Sequence, residues 1–112
     1  MMKKLYILLV FVALIMMGCA GTASYIRILE ANGDIRTDIS DDKSYTYKVS
    51  IKNTIDVNWD GGRESDRITA VNTMFKSSCK KIKIIDQIPI RRGSYIHGKE
   101  AVTWVLKVKC IN

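Results

Sequence analysis

The chain has 112 residues, of which 47% are apolar and 26% charged, with a formal net charge of +7. That length holds one small domain and leaves no room for a second. With one histidine and no Gly-rich phosphate loop, HExxH or CxxC, the common routes to phosphate, zinc and redox chemistry lack their residues.

Lys3 and Lys4 open the chain with positive charge, and Leu5 to Met17 follows as 13 uninterrupted apolar residues. A helix needs about 20 residues to cross a hydrocarbon core of about 30 Å, so this run suits the apolar region of a signal peptide. It stops at the small residues of Gly18-Cys19-Ala20-Gly21, which give a peptidase access to the backbone. Met16-Met17-Gly18-Cys19 resembles the lipobox of bacterial lipoproteins, with Met16 where the family usually has Leu. The resemblance covers the first 20 residues. It implies that residues 1–18 are a lipoprotein signal peptide, that the Cys19 thiol receives a diacylglycerol whose fatty chains include palmitate, and that cleavage between Gly18 and Cys19 then frees the Cys19 amine. Residues 19–24 then form the lipidated cysteine and a short tether, and residues 25–112 a single small α+β domain. Two or more acyl chains hold a protein firmly at a membrane. In the family an Asp after the cysteine retains the protein at the inner membrane. Ala20 therefore favours an outer-membrane anchor facing the periplasm over an inner-membrane one. An ordinary cleavage site beside an ordinary cysteine, and a retained membrane helix, are the alternatives.

Cys79 and Cys110 are the cysteines left once Cys19 is lipidated. An exported chain meets an oxidising compartment, where an even pair forms a disulfide; two free buried thiols would suit a cytosolic protein instead. A thin core would gain from such a staple. Removing Lys3 and Lys4 with the signal lowers the formal charge from +7 to +5. Residues 20–75 carry seven Lys/Arg against nine Asp/Glu, and residues 76–112 carry nine against two. The basic C-terminal part implies an anionic neighbour or a soluble surface.

Along the mature chain, Tyr25-Ile26-Arg27-Ile28-Leu29 reads as a strand and Asn32-Gly33 as a turn. Ile35 and Ile39, among Asp34, Asp38, Asp41 and Asp42, read as loop or weak edge strand. From Tyr45 to Trp59 every odd position except Asn53 is apolar and every even one polar, which is the period of a strand with one buried face. Fifteen residues is long for one strand, and Asn53 marks a bulge, a bend or the end of pairing. Asp60-Gly61-Gly62 breaks it. A helix is predicted from about Glu64 to Lys80, capped by Ser65 or Asp66, with Ile68, Val71, Phe75, Ser78 and Cys79 on its apolar stripe and Ala70 and Met74 widening it. Lys76, Lys80 and Lys81 suit the negative end of its dipole. Ile82, Ile84, Ile88 and Ile90 then share a strand face, and Pro89 places the distal half of that strand at an edge. The last strand, Ala101 to Cys110, points Val102, Trp104, Leu106, Val108 and Cys110 inward. Both cysteines reach core-facing positions by separate periodicities, so the bridge would pin the helix end to the last strand. The fold class is α+β: a single helix on a mostly antiparallel sheet of three to five strands, in the order β-β-α-β-β, with one disulfide.

Lys48, Lys52, Lys81, Lys83, Lys107 and Lys109 fall opposite the apolar face on three strands. If those strands share one sheet, its outer side is a lysine-rich platform. It would serve contact with an anionic partner, whether lipid headgroups, cell-wall polymer or an acidic protein, or simply keep exposed strands soluble. Tyr45, Tyr47, Trp59 and Trp104 read as inward, so no aromatic platform interleaves with the lysines and nucleic acid is not the expected partner. The Asp34, Asp38, Asp41 and Asp42 group lacks the spacing of an EF-hand loop and reads as a solvated acidic loop, not a metal site. His97 has no nucleophile or orienting group at recognisable spacing. No catalytic residue and no cofactor is assigned. The expected function is that of a non-enzymatic envelope lipoprotein, an adaptor or accessory subunit that is held to the membrane through the Cys19 lipid and touches another envelope protein or an anionic envelope surface. The alternative is a lipoprotein that blocks phage, plasmid or toxin entry, and a third reading is a small hydrolase using His97.

Overall fold

The structure, a computed structural model, describes residues 24–112; the expected signal peptide 1–18, the expected cleavage point between Gly18 and Cys19 and the expected tether up to residue 23 lie outside the described residues. In chain order the elements are α1 (24–31), β1 (Ile35–Ile39), β2 (Tyr47–Lys52), β3 (Ile55–Asp56), β4 (Trp59–Asp60), α2 (Glu64–Phe75), β5 (Lys81–Ser94) and β6 (Glu100–Ile111). The main sheet is antiparallel, with its four strands ordered β1-β2-β6-β5, while β3 and β4 form a separate two-stranded hairpin. The architecture is α+β. It departs from the β-β-α-β-β order in two places: a helix precedes the first strand, and the β3–β4 hairpin intervenes before α2. No described helix is long and apolar enough to cross a membrane.

The expected strand at Tyr25–Leu29 is helical. Ile26 and Leu29, three apart, are buried, and Tyr25 packs beside them, so the apolar residues follow a helical stripe rather than an alternation. Asn32-Gly33 ends that helix instead of turning a hairpin. Gly33 has φ +79°, its N–H donates to the Glu30 carbonyl, and the Asp34 N–H donates to the Leu29 carbonyl. That is a Schellman stop, and glycine adopts its left-handed position without a Cβ penalty.

The long alternation from Tyr45 to Trp59 is one strand only as far as Lys52. Asn53 ends the pairing. Its buried side chain accepts from the Val102 N–H (3.0 Å) and the Tyr95 hydroxyl (3.0 Å) and donates to the Glu100 carbonyl (2.9 Å). The chain then folds back at Val57-Asn58, where Asn58 takes φ 58°, so Ile55 and Val57 are exposed rather than inward. Gly61 brings the backbone down onto the end of β2, where an added Cβ would fall on the Lys52 carbonyl oxygen.

Helix α2 is shorter than predicted, ending at Phe75 rather than Lys80. Arg63 holds the cap position without a side-chain bond, and neither Ser65 nor Asp66 caps. The Asp66 carboxylate accepts instead from the Asp60 N–H at 3.0 Å. Lys76 follows the last turn, and Lys81 already belongs to β5. The buried face is Arg67, Ala70, Val71 and Phe75. Ile68 is only half-buried, and Ser78 is exposed beyond the helix end. Arg67, 3% exposed, is a core residue that the apolar stripe did not announce. Its guanidinium lies 3.9 Å over the Trp104 ring and donates to Gln87 Oε1 (3.1 Å) and the Gly61 carbonyl (3.2 Å). Burial pulls its pKa below the usual arginine value.

Strand β6 carries Trp104, Leu106, Val108 and Cys110 inward against Val49, Ile51 and α2, as its alternation predicts. Strand β5 does not keep one face. Its register to β6 shifts between Ile84 and Asp86, which inserts Ile85 as an extra residue. Ile82 and Ile84 face the core, whereas Ile88 and Ile90 pair with Val105 and Thr103 on the opposite face and are 38% and 39% exposed. Cys79 and Cys110 are bonded, with Cα atoms 5.3 Å apart, and join the segment after α2 to the last strand.

Replacing both Cys79 and Cys110 by alanine is expected to lower the unfolding free energy by roughly 3–4 kcal/mol. Urea denaturation with and without reductant measures this, and an unchanged midpoint in both would contradict it. Asn53→Ala strands the Tyr95 hydroxyl, the Val102 N–H and the Glu100 carbonyl, and is expected to destabilise by about 3 kcal/mol in the same assay.

Candidate interaction surface

Two helices cover one face of the main sheet, and strand periodicity sends the intervening residues to the other. Val49 and Ile51 point inward, so Lys48, Ser50 and Lys52 point out. Cross-strand partners share a face, which places Lys107 beside Lys48 and Thr103 beside Lys52. Ile82 and Ile84 face the core opposite Cys110 and Val108, so Lys81 and Lys83 point out, with Lys109 opposite Lys83. All six lysines therefore reach the uncovered face.

The pairing orders that face into rows. One row reads Asp38, Lys48, Lys107, Asp86 across the four strands, two cations between two carboxylates. The next reads Arg36, Ser50, Val105, Ile88. Beyond it Lys52, Thr103 and Ile90 stand side by side. At the other end Lys83 faces Lys109 with no acid paired in their row. Like charges directly opposite one another destabilise a sheet. Among the described residues no carboxylate oxygen lies within 4.0 Å of any of the six lysines. The Lys83–Lys109 pair, with no acid in its row, and more weakly the Lys48–Lys107 pair between Asp38 and Asp86, are thus held in a geometry that an anionic neighbour would relieve.

The face also carries residues that the sequence reading did not assign to it. Arg36 and Arg92 join Asp38, Lys48, Lys52 and Thr103 in lining an open groove of about 680 Å³. Arg36 belongs to β1, a segment whose local sequence suits a loop or weak edge strand. Once Ile35 is buried and paired with Ile51, the next residue must face outward. Tyr45 is a correction: it does not stay on the inner side, because Lys107 Nζ lies 5.4 Å over its ring.

The four aspartates do not form one cluster. Asp38 pairs with Arg36 at 3.5 Å. Asp42 accepts from the Ser44 N–H at 2.8 Å, and that bond holds its pKa below the ordinary aspartate value. Asp34 follows the α1 stop, and its carbonyl accepts from the Lys52 N–H. His97 is exposed in the β5–β6 turn, where its Nδ1 accepts from the Lys99 N–H at 3.3 Å and its ring tilts against Tyr95. With Asn53, Thr54, Ile55, Tyr95 and Lys99 it lines a hollow of about 200 Å³. Cys79 and Cys110 are consumed in the disulfide, so neither is available as a nucleophile. The residues assigned to lipidation and cleavage, Cys19 and Gly18, lie outside the described residues.

The chain matches no family model, no curated protein and no solved structure.

Lys109→Glu turns the uncompensated Lys83–Lys109 pair into an opposite-charge pair. It is expected to raise stability by about 0.5 kcal/mol at low ionic strength, with the gain shrinking in 1 M salt. Thermal melts at the two salt concentrations test it, and a loss of stability at low salt would contradict the row assignment.

Proposed function

We propose that this chain is a small lipid-anchored envelope lipoprotein that works as a non-enzymatic adaptor or accessory subunit in the periplasm. It is held at the outer membrane through the lipid on Cys19 and presents the lysine face of its sheet to an anionic partner. The anchor rests on the lipobox resemblance at Met16-Met17-Gly18-Cys19 and on Ala20 after it. The contact rests on one observation: the uncovered face sets Lys83 against Lys109 and Lys48 against Lys107, with Arg36, Lys52 and Arg92 around a groove beside them. A face kept only for solubility has no need to oppose like charges. A partner bringing carboxylates or phosphates removes the repulsion on contact, and the interaction weakens as salt rises.

The anchor and the contact are tested separately. Labelled palmitate is expected to enter the wild-type chain and not Cys19→Ala; equal labelling of both would remove the anchor. A tagged full-length chain, crosslinked in intact envelopes, is expected to recover a defined partner. The triple change Lys83→Glu, Lys107→Glu, Lys109→Glu is expected to lose that partner while keeping the lipid. Undiminished recovery by the triple variant would remove the lysine face from the reading.

A further inference from the structure

We infer that the β1 edge of the sheet is a self-pairing surface: two copies of this chain join β1 to β1 antiparallel about Thr37 and make one continuous eight-stranded sheet. This goes beyond the adaptor reading and does not depend on it.

The two edges of the sheet are built differently. Strand β5 is guarded, since Pro89 removes a donor, a bulge at Ile85 breaks the register, and Lys81, Lys83, Arg91 and Arg92 lie along it. These are the devices by which proteins keep an edge from pairing. Strand β1 has no proline, no lysine and no register shift against β2.

Its backbone is also free to pair. The Lys52 N–H donates to the Asp34 carbonyl and the Ser40 N–H to the Thr46 carbonyl, both at 2.9 Å. Hydrogen-bonded pairs alternate along an antiparallel ladder, so Arg36 and Asp38 bond to β2, while the N–H and C=O groups of Ile35, Thr37 and Ile39 point away from the sheet. Among the described residues none of these outward groups enters a hydrogen bond with a turn, loop or side chain. Ile39 is 81% exposed at the end of this strand.

The sequence of β1, Ile-Arg-Thr-Asp-Ile, is complementary to itself when reversed. Pairing about Thr37 sets Arg36 opposite Asp38 of the second copy and Asp38 opposite its Arg36. Ile35 then meets Ile39 of the second copy, and Ile39 meets its Ile35. Arg36 and Asp38 stand on the uncovered face, in the closer, non-hydrogen-bonded positions of the new ladder. Their row would run on as Lys107, Lys48, Asp38 and then Arg36 of the second copy, with the sign alternating from Lys48 onward. Thr37 and the two isoleucine positions form the hydrogen-bonded pairs, which close about six backbone bonds across the two-fold axis. The occupant is a second copy, because a foreign strand would have to bring Asp and Arg at the same spacing.

The test is made in the full-length chain. In a hydrogen-bonded pair the two Thr37 Cα atoms lie about 5.5 Å apart, within disulfide range. Thr37→Cys is expected to run as a covalent dimer on a non-reducing gel after mild oxidation. Ser65→Cys, on the exposed flank of α2, is expected to stay monomeric. Adding Arg36→Asp, or separately Asp38→Arg, to Thr37→Cys places like charges opposite one another twice and is expected to cut the crosslinked fraction about tenfold. Mixing the two differently tagged variants restores opposite charges, and the mixed dimer is expected to return. Three results would overturn the inference: a monomeric Thr37→Cys chain, crosslinking indifferent to the charge changes, or a crosslinked band whose mass shows a different protein on β1. Failure of palmitate labelling would leave this result untouched.

Discussion

One-sided cover of the four-stranded sheet by helices is the constraint on which the rest of the molecule depends. The β-strand period of two means that covering Val49, Ile51, Leu106 and Val108 with helices commits Lys48, Ser50, Val105 and Lys107 to the other side. No further choice is needed to make the outer face cationic; it follows from which residues alternate with the core. A thin domain can keep such a face because its inner layer is fixed at both ends. The Cys79–Cys110 bond ties the end of β6, and Asn53 ties its start through Val102 and Glu100.

How far the sequence announced this structure varied with the range of the interaction responsible. Strand β6 was legible in outline, because it is central and uninterrupted and Trp104, Leu106, Val108 and Cys110 alternate inward; Val105 breaks the alternation and is buried on the opposite face, between Ser50 and Ile88. The bridge was legible from the even pair of cysteines and from the β6 alternation that turns Cys110 inward; the helical spacing assigned to Cys79 ran past the end of α2 at Phe75, and Cys79 is buried in the segment beyond it. Strand β5 misled beyond Ile84. A bulge inverts the facing of every later residue, and isoleucines spaced by two look the same on either side of it. The first helix misled because Tyr25, Ile26 and Ile28 favour strands locally, while the i, i+3 burial of Ile26 and Leu29 is decided by packing against the core that β1 and β2 share. The Asn-Gly that stops it serves equally in a hairpin.

The candidate face was half legible for the same reason. Lys48, Lys107 and Lys109 could be placed from alternation within their own strands, and Lys81 and Lys83 lie before the bulge. Arg36 and Arg92 needed the register between strands, which is a long-range property. Arg67 was the least visible of all. A charged residue on an apolar stripe looks like an interruption until Trp104, Gln87 and the Gly61 carbonyl are seen around its guanidinium.

Among the described residues three buried polar atoms have no hydrogen-bond partner: the Tyr25 hydroxyl of α1, Thr54 Oγ1 before β3 and Trp59 Nε1 of β4. Burial, followed by the nearby Asp56 carboxylate, pushes the Tyr25 pKa above the usual tyrosine value. Pro89 has the wider consequence. A sheet with two receptive margins can add subunits without limit and grow into a fibre. With its distal margin closed by an imino acid and a bulge, this one has a single open side, so association through it would be self-terminating and the product a closed pair rather than a filament.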